Sequence, residues 1–79
     1  MRNSMSLATL RPGAAARVVG VDGSGGAALR LIEMGIVPGA AIRVVKAAPL
    51  GDPLQVCLRN HHLALRRIDA ERISVVIDG

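Results

Sequence analysis

The chain contains no phenylalanine, tyrosine or tryptophan. A core must therefore be built from aliphatic side chains alone. The missing rings also argue against a single-strand nucleic-acid binder, which stacks bases on aromatic faces. One cysteine, Cys57, excludes an intrachain disulfide and fits a reducing compartment. No stretch approaches the roughly 20 apolar residues that cross a bilayer as a helix, and residues 1–10 lack the apolar segment of a secretory signal. Acidic residues are few, six against ten basic, giving a net charge of +4. No basic run exceeds two residues, so high charge by itself identifies no ligand.

What is present is aliphatic and abundant. Hydrophobic residues make up 51% of 79, too many for a disordered chain. A single domain of this size buries only about 60% of its unfolded surface, which disfavours a deep catalytic cleft. Met1 to Ser6 is expected to be a flexible tail before one domain over residues 7–79. Leu7 and Leu10 are expected to pin its start against the core.

The hydrophobic pattern describes short strands. Arg17 to Val21 forms the first, with Val19 and Val21 on one face and Val18 on the other. Asp22 to Gly26 is a flexible connection offering Asp22 and Ser24 as helix N-caps. Ala27 to Met34 is the convincing helix, with Leu31 and Met34 pointing together into the core. Ile42 to Ala47 follows as a strand. Leu54 to Arg59 alternates with Leu54, Val56 and Leu58 inward and Gln55, Cys57 and Arg59 outward. Asn60-His61 suits a tight turn before a strand over His62 to Arg66. Asp69 to Arg72 suits one helical turn, and Ile73 to Ile77 a last strand. The pattern supports a mainly β domain with one helix.

The most informative segment runs from Arg30 to Pro53. Gly35 can take the left-handed conformation that stops a helix. Pro38-Gly39 suits a type II turn. Ala48-Pro49-Leu50-Gly51-Asp52-Pro53 turns the chain again. With Arg30-Leu31, Met34-Gly35, Leu63-Ala64-Leu65-Arg66 and Ala70, this segment resembles the FeoA family, small cytosolic proteins associated with the ferrous iron transporter FeoB. The resemblance covers residues 7 to 77. It implies a small SH3-like β-barrel of about five strands with one short α-helix inserted after the first strand.

Catalytic chemistry has little to stand on. Adjacent strand residues point to opposite faces, so His61 and His62 on a strand would chelate one ion poorly, an objection that weakens if they occupy the turn. A stable metal site wants three or four convergent ligands, and Cys57 is the nearby thiol. These three are read as structural or surface residues, with no metal site and no cofactor assigned. Activation of Cys57 as a nucleophile would need a specific pKa-lowering environment. Gly23-Ser24-Gly25-Gly26 precedes a helix but lacks the spacing of a phosphate loop and its Lys-Ser/Thr.

The resemblance implies a non-enzymatic cytosolic accessory protein that binds FeoB and supports or regulates Fe(II) uptake, reaching the membrane only through that partner. The expected contact is Leu29 and Ile32 on the helix, rimmed by Arg30 and Glu33, together with Leu50 and Asp52 at the second turn. An apolar centre with a charged rim is the ordinary anatomy of an interface, and the same face would permit weak self-association. The alternatives are a FeoA-like interaction module in iron-dependent transcriptional regulation and an arginine-based nucleic-acid binder.

Overall fold

The strands fall where valine, isoleucine and leucine alternate with polar or small residues, and one sheet collects them all. The computed structural model describes residues 3–77. In chain order the elements are β1 (Met5–Ser6), a 3-10 turn (Leu7–Thr9), β2 (Ala15–Val21), α1 (Gly26–Glu33), β3 (Ala41–Ala47), β4 (Leu54–Leu58), β5 (His61–Leu65), α2 (Arg67–Ala70) and β6 (Ile73–Ile77). The sheet is antiparallel and runs β1-β6-β2-β3-β4-β5.

Two expectations about architecture are corrected here. The sheet has six strands rather than five, and it is not closed into a barrel. The extra strand is β1, whose Met5 and Ser6 pair with Val75 and Ser74. Two residues are too few to show alternation, and their partners lie at the far end of the chain. This part of the expected tail is therefore strand; Met1 and Arg2 lie outside the described residues, as do Asp78 and Gly79. The helix accordingly follows the second strand.

Leu7, Ile36, Val56, Ile73 and Val75 are fully buried and anchor an aliphatic core, with Leu31, Ile42, Val44, Leu54, Leu58 and Leu65 around them. No polar or charged residue is buried among the described residues, although the partly buried Arg72 holds its Nε out of water without a hydrogen-bond partner. β2 buries Ala16 and Val18 and exposes Val19. A register shift between Val18 and Gly20 breaks the alternation, as a bulge does by adding one unpaired residue. A second shift, between Val44 and Lys46, lets Ile42 and Val44 face inward while Lys46 stays outward beside Gln55.

Helix α1 ends by backbone geometry. Gly35 sits at φ +100. Its N–H donates to the Ile32 carbonyl at 3.0 Å, and the Ile36 N–H donates to Leu31 at 3.2 Å. This pair of bonds is the Schellman motif, in which the residue after glycine meets the last inward residue of the helix. Ile36 therefore fills the core beside Leu31. Met34, expected there, is 41% exposed. The helix starts at Gly25, which has no side-chain cap; Asp22 instead accepts a hydrogen bond from the Ser74 hydroxyl. Val37-Pro38-Gly39-Ala40 makes the expected turn, with Gly39 at φ +88 and the Ala40 N–H donating to Val37 at 3.1 Å.

The β4–β5 turn is displaced by one residue from its expected place. Arg59 and Asn60 hold φ of 49° and 70°, and Leu58 pairs with His61 across them. Two central residues at positive φ describe the hairpin turn whose twist matches the flanking strands. The short helix α2 also begins two residues earlier than expected, for a tertiary reason described below.

Candidate protein-interaction surfaces

On α1, successive residues turn by 100°. Ala28 and Leu31 are buried, so the inward arc is centred between them. Ile32 and then Leu29 follow on one side of that arc, at 45% and 56% exposure. Glu33 and Arg30 come next on the helical wheel, both exposed. Leu29 and Ile32 thus form a short apolar strip that fills no place in the core, with Glu33 and Arg30 along its far side. Met34 lies beyond Arg30 and is separated from the strip by it.

The β3–β4 connection carries the second pair of expected residues. The Gly51 N–H donates to the Ala48 carbonyl at 2.7 Å, the Ala48 N–H donates to Pro53 at 3.0 Å, and Asp52-Pro53 is a cis peptide. Leu50 projects from this turn at 95% exposure. Asp52 has a job inside the fold: its Oδ1 accepts from the Arg67 backbone N–H at 2.9 Å. Arg67 is the first residue of α2, so a residue fifteen positions away caps that helix. The Arg67 guanidinium adds bonds to the Gly51 carbonyl at 2.9 Å and to the Ala8 carbonyl at 3.2 Å. It therefore clasps the turn, the N-terminal segment and α2 together, a role that nothing local in the sequence announces.

The end of α1 and the β3–β4 turn meet β4 at different ends. A Cβ on Gly35, at the end of α1, would lie 3.6 Å from Leu58. The turn enters β4 at Leu54, the opposite end of that strand. Four residues of strand separate the two, about 13 Å at 3.3 Å per residue.

Another surface emerges from strand register. Residues directly paired across a sheet share a face. Ala15, Arg43, Cys57 and His62 form one row across β2, β3, β4 and β5, and Lys46, Gln55 and Ala64 form the next. All lie on the face opposite the core. Arg59 joins them at the end of β4, where it, Arg43, Cys57 and Ala15 line a shallow cavity of about 220 Å³. Arg43 and Arg59 are 16 residues apart in sequence, and the pairing of β3 with β4 brings them together. Cys57 faces outward as expected, yet its neighbours cover it to 9% exposure. His61 and His62 are exposed and sit on opposite faces, paired with Leu58 and Cys57. Among the described residues, no group of three His, Cys, Asp or Glu side chains converges as a metal site. No helix of the described residues is long and apolar enough to cross a membrane.

Comparison with known proteins matches these features to a family. Residues 5–77 match the FeoA domain family model. A fusion protein of Fe(2+) transport protein A and the Fe(2+) transporter FeoB, from Porphyromonas gingivalis, is 42% identical over 71 residues. That alignment takes in 90% of this chain and 8% of the fusion protein, so the chain spans only a small part of that relative. The solution structure of FeoA from Chlorobium tepidum superposes with a TM-score of 0.87 at 39% identity, covering 95% of this chain and 71% of that one. A zinc-complexed FeoA from Stenotrophomonas maltophilia, described as a prokaryotic SH3 domain protein, gives 0.79 at 35% identity, covering 90% and 88%. A manganese-dependent transcriptional repressor superposes at 0.87 but only 18% identity, covering 99% and 44%, and shows the fold alone. The chain belongs to the FeoA domain family, with an SH3-like arrangement of an open six-stranded sheet.

Proposed function

We propose that this chain is a non-enzymatic cytoplasmic accessory protein that binds the cytosolic part of a FeoB-type transporter and supports or regulates Fe(II) uptake. The observation that carries this reading is the fusion relative, in which the two units share one polypeptide. Covalent linkage raises effective concentration and serves units that work in contact. The contact on this chain is the Leu29–Ile32 strip with its Arg30 and Glu33 rim. Burying two half-exposed aliphatic side chains contributes roughly 1 kcal/mol each, half of the ~1.5–3 kcal/mol of full burial. Together they change affinity by about 30-fold. The Leu50–Asp52 turn forms a second contact.

Co-purification of the full chain with a FeoB-type transporter, and separately with its soluble G domain, tests the reading and locates the contact. Leu29→Asp is expected to leave the fold intact, because Leu29 is 56% exposed, and to weaken capture at least tenfold. Unchanged capture by the folded variant would exclude the helix strip. Absence of capture by either partner would exclude the accessory role.

A further inference from the structure

We propose that the outward face of β3 and β4, together with the Leu50 tip, docks on an anionic phospholipid surface. Arg43, Lys46 and Arg59 are exposed on this face, with small or neutral neighbours at Ala15, Gln55, Cys57 and Ala64. No described carboxylate belongs to strands β2 to β5. Asp22 follows β2, Glu33 is on α1, and Asp69 and Glu71 lie in and after α2. Asp52, at the turn, has an oxygen engaged by the Arg67 N–H. The face thus presents one sign of charge, and its complement is an anionic surface.

The tip decides which anionic surface. Lys46, Gln55, Pro49 and Pro53 line one concavity, so the base of the turn is continuous with the basic face. The turn has backbone reasons for Pro49 and for Gly51, at φ +84, but none for a leucine. Leu50 is nevertheless 95% exposed. An aliphatic tip ahead of a row of cations fits a boundary between headgroups and hydrocarbon, where apolar burial and attraction to anionic lipid act together. A nucleic acid would use the cations but has no aromatic platform in this chain and no use for Leu50. The inference rests on the proposed function in one respect: a subunit bound to the cytosolic side of a membrane transporter lies close to such a surface.

Each cation near an anionic bilayer contributes about fivefold in binding, so three contribute roughly 100-fold. Co-sedimentation of the full chain with phosphatidylcholine vesicles, with and without phosphatidylglycerol, measures this directly and needs no transporter. Binding is expected only to the anionic vesicles and is expected to weaken with added salt. The double variant Arg43→Glu/Arg59→Glu is expected to lose at least ~25-fold. Leu50→Asp, at a site without packing, is expected to weaken binding while melting like the parent. Leu29→Asp is expected to bind vesicles normally, which separates failure of this proposal from failure of the transporter contact. Equal binding to both vesicle types would overturn the proposal, as would unchanged binding by the folded double variant. Capture of a short single-stranded RNA but not of vesicles, lost in the same double variant, would overturn it in favour of nucleic acid.

Discussion

Replacing Gly35 by alanine tests whether backbone conformation, rather than space, requires glycine at the end of α1. A Cβ there would meet only Leu58, at 3.6 Å, an ordinary van der Waals distance. The steric environment therefore permits alanine. The backbone does not: φ is +100, and an L-residue held in left-handed geometry costs roughly 1–2 kcal/mol. For a domain of this size each kcal/mol lowers Tm by about 4–8 °C. Gly35→Ala should therefore melt roughly 4–16 °C below the parent. Gly20→Ala is the matched control. Gly20 lies in β2 without positive φ and has nothing within 4 Å of its Cβ position, so alanine should be neutral or stabilising by up to ~1 kcal/mol. Thermal denaturation followed by circular dichroism reads both. If the two variants melt together, or Gly35→Ala melts higher, the left-handed position is not what demands glycine. A gradient of hydrogen exchange across α1 in Gly35→Ala would add detail, because Ile36 is delivered to the core by the same motif.

Two further substitutions separate the roles of neighbouring residues. Asp52→Ala removes the remote cap of α2 and should cost about 0.5–2 kcal/mol in urea denaturation, although Asp52 is exposed and lies outside the core. On α1, Leu31→Ala should cost about 2–5 kcal/mol, because Leu31 is buried among core residues. Ile32→Ala, one position along, should stay under about 1 kcal/mol, and a larger loss would mean that the strip belongs to the core.

The residues that were legible from sequence are those whose reasons are local. Gly35, Pro38-Gly39 and Pro49 through Pro53 carry turn chemistry, and the structure turns at each. Ile73 to Ile77 alternates cleanly and forms a strand over those bounds, and the strand expected over Leu54 to Arg59 runs from Leu54 to Leu58, with Arg59 in the turn. The errors have a common cause. Met34 looked like a core residue from helical spacing, but the helix is oriented by Ala28 and Leu31, and the place goes to Ile36. The β4–β5 turn moved to Arg59-Asn60 because register from Leu54↔Leu65 to Leu58↔His61 fixed it. Met5 and Ser6 became a strand only because Ser74 and Val75 offered an edge.

The same division holds for the surfaces. Sequence determined that the chain is a small aliphatic β domain and where most of its turns fall. Periodicity and turn chemistry act over a few residues, so one sequence suffices to state them. Only the tertiary structure decided that the sheet stays open at six strands, that the Gly35 end of α1 and the Leu50 turn meet β4 at opposite ends, and that Arg67 and Asp52 fasten segments far apart in the chain. It also aligned Arg43, Lys46 and Arg59 on one face. Cross-strand neighbours are set by register, and register depends on the whole set of inward side chains finding one core.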